Sequence, residues 1–176
     1  MIRPSPKKDT PAVTLDFSGD LLDFFKGREG AVFSLRYPLV RRASIKDIIE
    51  SLGIPHTEVG GLFCGTRALD FSFLPCGGER LLVEPLSPLS PPTRPSPLRP
   101  QPLHRLRFLV DSNVAKLARL LRMAGLDAAT VEGVRPINEI AARTADEQRI
   151  LLSRNRELLR LRSVVFGRLV RNQDPS

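Results

Sequence analysis

Eight of the eighteen residues from Pro85 to Pro102 are proline, in the string PLSPLSPPTRPSPLRPQP. Proline has no amide hydrogen to donate and its ring clashes with the preceding helical turn, so neither an interior strand nor a regular helix can cross this stretch. Regular structure must therefore form on either side of it. The expectation is a polyproline II linker over residues 86–104, reaching about 3.1 Å per residue, between domains at residues 12–85 and 105–176. A PxxP ligand for an aromatic groove, or a basic arm through Arg94 and Arg99, is the functional alternative for the same segment.

The two sides differ in charge. Residues 1–93 carry 11 Lys and Arg against 11 Asp and Glu, whereas residues 94–176 carry 16 against 8. The whole net charge of +8 (16 − 8) therefore lies in the second part. That asymmetry favours a polyanionic partner, of which nucleic acid is the commonest. No apolar run approaches the roughly 20 residues that a bilayer span needs. The opening MIRPSPKKDT lacks the apolar core of a secretory signal. Cys64 and Cys76 can neither build a disulfide framework nor close a zinc site alone, so reduced thiols in a cytoplasmic protein are expected.

Ahead of the prolines, AVTLDF and AVFSLRYP alternate like strands, and short strands are expected around GLFCG, RALD and ERLLVEP. Between them SIKDIIESLG spells one helix. Ser44 stands at its N-cap with Asp47 three residues on, and Gly53 follows its end. Ile45, Ile48, Ile49 and Leu52 fall on one stripe. Strand, strand, helix, strand, strand is the order of an α+β β-grasp. The segment SIKDIIESLGIPHTEVGGLFCGTRALDFSFLPCGGERLLVEP resembles the ubiquitin-like domain found ahead of Mut-7-type C-terminal RNase domains. Sulfur carriers of that fold use a terminal Gly-Gly as acceptor. Gly77-Gly78 is internal here, so a turn is the expected role. A protein partner is the function such a domain implies, and His56 and the cysteines read as packing or loop residues.

After the prolines, RLRFLVD is an apolar strand ending in Asp111, and NVAKLARLLRMAGL is a helix with Val114, Leu117, Ala118, Leu121 and Ala124 on one face and Gly125 at its stop. DAATV, RILLS and GRLV are further strands. INEIAARTADEQ, with Pro136 at its start and Glu139 in its first turns, and RNRELLRLR are further helices. Alternation of this kind implies an α/β domain with a parallel sheet. Ligands gather at the carboxyl ends of such strands. Asp111, Asn155 and Asp174 fall after the first, third and fourth of them, and Glu139 can reach that edge. Converging carboxylates need cations between them, and oxygen ligands suit Mg²⁺ or Mn²⁺, which activate water for phosphodiester cleavage. Asp111 has a second reading, as the cap of the helix that follows it.

The strings FLVDSNVAKLARLLRMAGLDAATV, INEIAARTADEQRILLSRNRELL and GRLVRNQDP resemble the Mut-7 C-terminal RNase domain, a branch of the PIN-like nucleases. The resemblance implies a PIN-like fold, RNA as substrate, and an acidic site holding Mg or Mn. Asp111, Glu139 and Asp174 match its acids and are the expected catalytic residues, with Asn155 as a fourth metal ligand. Lys116, Arg119, Arg122, Arg154, Arg156 and Arg160 are the expected RNA contacts. Two departures bear on activity. The family's T-R-D reads Ser153-Arg154-Asn155 here, and Ile137 stands where an acid commonly precedes the helical Glu. Many relatives also continue into a four-cysteine zinc ribbon; the sequence stops at Ser176, and a domain truncated before the ribbon is expected. An endoribonuclease of weakened activity is one expectation. A catalytically degenerate protein that binds RNA or a ribonucleoprotein, and uses its ubiquitin-like domain for protein interaction, is the other.

Overall fold

A computed structural model describes residues 10–25, 27, 30–87 and 91–171. The chain forms two compact units. One consists of the residues up to Ile54 together with Val59–Leu86; the other runs from Ser87 and also includes Pro55–Glu58.

The first unit contains β1 (Ala12–Ser18), β2 (Val32–Pro38), α1 (Ile45–Ser51), β3 (Val59–Cys64), β4 (Arg67–Ala68) and β5 (Arg80–Pro85). The strands form one mixed sheet in the order β2-β1-β5-β3-β4, with β1 parallel to β5 and the other neighbours antiparallel. This is the ubiquitin-like arrangement expected from the sequence. Val13, Leu15 and Phe17 alternate along β1 toward a core that also holds Ile45, Ile48, Ile49, Leu62, Leu81 and Val83, all essentially solvent-free. The capping box of α1 is complete: Ser44 Oγ accepts from the Asp47 amide at 3.2 Å, and an Asp47 carboxylate oxygen accepts from the Ser44 amide at 3.3 Å. Gly77 and Gly78 form a turn with φ of 115° and 89°, the left-handed region that glycine enters without strain. Glu79 closes that turn by accepting from the amides of Cys76 at 2.8 Å and Gly77 at 2.7 Å.

The second unit contains β6 (Arg107–Val110), α2 (Lys116–Met123), β7 (Asp127–Thr130), α3 (Ile137–Asp146), β8 (Ile150–Ser153), α4 (Arg156–Arg160) and β9 (Gly167–Leu169). All four strands are parallel, in the order β7-β6-β8-β9, the α/β architecture that the alternation implied. Val114 and Ala118 are buried with Val110, Ala128 and Leu152, and Leu117 and Leu121 pack against them, so α2 covers one face of the sheet. Ala124 is exposed, contrary to its expected place in that stripe. Leu109 and Leu151 point to the other face and are solvent-free as well, so both faces are covered. Among the described residues no helix is long and apolar enough to cross a membrane.

The proline-rich stretch departs from an extended course. Within residues 91–103 the Arg94 amide donates to Pro91 O, Ser96 and Arg99 exchange both backbone hydrogen bonds, and the Leu103 amide donates to Pro92 O at 2.9 Å. Pro92 and Pro97 occupy second positions of these turns, where a fixed φ helps instead of hindering. Leu98 and Leu103 are buried, and so is Arg99. The Arg99 guanidinium donates to Thr57 O at 3.1 Å and Val165 O at 3.3 Å. Burial pulls its pKa down to about 10, which leaves it charged at neutral pH.

Residues 55–58 finish the open side of β9. Glu58, 1% exposed, accepts from the Leu169 amide at 2.7 Å and lies 3.5 Å from guanidinium nitrogens of Arg168 and Arg171. His56 Nε2 donates to Val164 O at 3.0 Å, a packing role and not that of a ligand. A covered edge offers no row of unpaired amides to another chain.

Candidate active site

From β6 the chain goes to β7 on one side, then returns past β6 to reach β8 on the other. In a parallel sheet the connections that follow two such strands leave in opposite directions. Their carboxyl ends therefore open a crevice, the usual place for a ligand. Asp111 follows β6 at that point, and Ser153 ends β8.

The two side chains meet there. Ser153 Oγ donates a short hydrogen bond to Asp111 Oδ2 and accepts from the Asn155 amide at 2.9 Å. A hydroxyl has a single proton to give, so this arrangement directs it to the carboxylate. Ser112 Oγ reaches the other carboxylate oxygen at 3.3 Å. Asp111 is 6% exposed and Ser153 is fully buried. Burying a carboxylate is costly, and donors on its oxygens offset part of that cost while fixing its orientation. Helix capping does not account for Asp111, because its side chain makes no cap hydrogen bond to the turn it precedes.

Asn155 stands two residues beyond Ser153 but points its oxygen elsewhere. Its Oδ1 accepts from the amides of Glu157 at 2.9 Å and Leu158 at 3.2 Å, the N-cap of α4. Glu157 is exposed. Glu139, in the first turn of α3, is 61% exposed and 4.0 Å from Arg135. It lines a cleft of about 370 Å³ together with Val131, Glu132, Arg135, Ile140 and Arg143. Asp174 lies outside the described residues. Thus Asp111, Ser153 and Asn155 are joined by hydrogen bonds, whereas Glu139 belongs to the cleft at the end of β7. Among the described residues no three His, Cys, Asp or Glu side chains come together to hold a metal ion.

The expected RNA contacts divide in the same way. Lys116, Arg119, Arg154 and Arg156 are exposed. Arg122 donates from Nε to Ala128 O at 2.8 Å, which ties α2 to β7. Arg160 is half-buried, with its Nε shielded from solvent.

Two residues of this edge escape a reading of the sequence. Ser153 closes an apolar strand, and only its place beside Asp111 gives its hydroxyl meaning. Glu132 sits in the short loop after β7, and nothing in the string EGVRP announces a cleft.

No curated protein and no solved structure matches the chain. Residues 10–89 match the family model described as Mut7-C ubiquitin, and residues 106–176 match the one described as Mut7-C RNAse domain. The order of these matches and the two folds agree: the chain belongs to the Mut7-C family, with a ubiquitin-like domain followed by a Mut7-C RNase domain.

Proposed function

We propose that this chain is an endoribonuclease of the PIN-like class, weakened in activity, that works at the crevice between β6 and β8. The observation that carries this reading is Asp111, a buried carboxylate held by the Ser153 hydroxyl at the switch point of a parallel sheet in an RNase-family domain. Lys116, Arg119, Arg154 and Arg156 are exposed cations for the phosphates of RNA, and such contacts make affinity fall as salt rises. Mg²⁺ or Mn²⁺ is the proposed cofactor and would supply charge neutralisation and an activated water. Asp111 would hold it, with Glu139 and Asp174 as the further acids that the family resemblance implies. Asn155 contributes no charge there, and its oxygen serves α4.

That last observation also favours a second reading, in which the protein binds RNA or a ribonucleoprotein without cutting it and the ubiquitin-like domain engages a protein partner. Calorimetry with Mg²⁺ and Mn²⁺, together with cleavage of a single-stranded RNA, separates the two. For the endoribonuclease, Asp111→Ala abolishes cleavage. Asn155→Asp tightens metal binding by about tenfold or more and raises cleavage, since it would add beside Ser153 the unit charge that the family's acid carries. No cleavage by the native chain or by either variant sinks the enzyme reading and leaves the binding one.

A further inference from the structure

The cleft at the end of β7 has no part in the machinery described so far beyond Glu139. Its place is fixed by backbone: the Val131 amide donates to Val110 O at 3.0 Å, and Val110 immediately precedes Asp111. The cleft therefore opens one strand away from the proposed reacting position. Val131 and Ile140, each 6% exposed, give it an apolar floor. Its volume of about 370 Å³ suits one small organic group.

Charge decides what that group is. Both cations of the cleft already have partners. Arg143 donates to Glu147 Oε1 at 2.6 Å and to Thr130 O at 3.1 Å. Arg135 donates to Glu132 O at 3.4 Å and faces Glu139 at 4.0 Å. Glu132 and Glu139 bring two carboxylates to the same space. The two arginines and two glutamates sum to no net charge and the arginines are already engaged, so the cleft suits a neutral heterocycle better than a phosphate. The apolar floor suits the face of a base, and a guanidinium plane such as that of Arg135 is a stacking surface. A carboxylate on the edge of a base needs donors facing it. Guanine alone among the four RNA bases presents two adjacent donors, N1–H and the 2-amino group, on its Watson–Crick edge. Adenine and cytosine set an acceptor beside their amine, and uracil sets acceptors on both sides of its one donor.

We propose that this cleft is a base-binding subsite selective for guanine, with the Glu132 carboxylate reading the N1–H and 2-amino donors, for an RNA strand whose phosphates pass Asp111. The inference rests on the reading of RNA as substrate and names the base that the site prefers.

The test uses the full chain and three single-stranded RNA nonamers: all uridine, uridine with one central guanosine, and the same with inosine, which lacks the 2-amino group. Affinities are measured by fluorescence anisotropy at two salt concentrations. A bidentate base contact corresponds to roughly tenfold or more in discrimination. The guanosine nonamer is expected to bind about tenfold tighter than all-uridine, with inosine between them. Glu132→Gln, which replaces one acceptor oxygen by a donor, is expected to erase that difference between the guanosine and all-uridine nonamers. Equal affinity for guanosine and all-uridine nonamers overturns the subsite while the RNA reading stands. A guanosine preference that survives Glu132→Gln removes the assignment of Glu132. If no nonamer binds at either salt concentration, the RNA reading fails and the subsite with it.

Discussion

The two ends of the parallel sheet use charge in opposite ways. At the amino end Arg107, Asp127, Glu147 and Arg149 form one bonded network. Arg107 donates to Asp127 at 3.1 Å, and Arg149 donates to Asp127 at 2.7 Å, to Phe108 O at 3.0 Å, and to Glu147. Arg143 bonds the other oxygen of Glu147 at 2.6 Å. At the carboxyl end, among the described residues, Asp111 is held by serine hydroxyls alone and Glu139 meets its nearest cation at 4.0 Å. A saturated network pins the starts of neighbouring strands. Carboxylates without close cations leave a field that a ligand can satisfy. Within one small sheet, then, charges are committed to the fold at one end and open to chemistry at the other.

The contrast breaks most visibly at Arg149. Its side chain is 8% exposed and holds two carboxylates of adjacent segments. Arg149→Met is expected to destabilise the second unit by about 2 kcal/mol, the scale of hydrogen bonds to charged groups, with RNA affinity unchanged. Hydrogen-exchange protection at Leu109 and Leu151 measures the first and anisotropy the second; a large loss of RNA binding would show that the amino end is not merely structural.

Ser153→Ala probes the other end. A partner that orients a reactive carboxylate is worth roughly 10–100-fold in metal affinity or activity. The expected result is about a tenfold loss of cleavage with KM little changed, and recovery in Ser153→Thr. Undiminished cleavage in Ser153→Ala would mean that Asp111 needs no support from β8.

The smallest effect is the pH response. The hydrogen bond from Arg149, above all, holds the Asp127 carboxyl below its ordinary range, and hydrogen bonds from Arg143 and then Arg149 do the same for Glu147; burial opposes both. The unfolded chain takes up protons at these groups first. Their stabilisation is therefore complete above the ordinary carboxylate values near pH 4 and is lost as pH falls from there through the lowered folded values. Urea midpoints of the second unit are expected to fall over that interval, and to fall less in Arg149→Met. Equal slopes would show that the network carries little of the acid sensitivity.

Much of this was legible in advance where the signal is local. Ser44, Asp47 and the isoleucine stripe of α1 are separated by a few residues, and a helix tests such spacing directly. The four strands of the second unit were readable because each is a short apolar run between helical patterns. Relationships across sequence distance were not. The turns at Pro92 and Pro97 depend on Leu98 and Leu103 finding buried places, which composition cannot reveal. Pro55–Glu58 belongs to the second unit although residues on both sides of it belong to the first. The pairing of Asp111 with Ser153 spans 42 positions, and its meaning comes from strand order.

Asn155 carries one more consequence. Asparagine and aspartate rank almost equally as N-caps, so the α4 terminus that Asn155 closes is indifferent to which of them is present. Folding therefore places little constraint on the charge at this position. If the proposed reading holds, an amide-to-acid exchange here would change the charge beside Ser153 and leave the α4 cap in place.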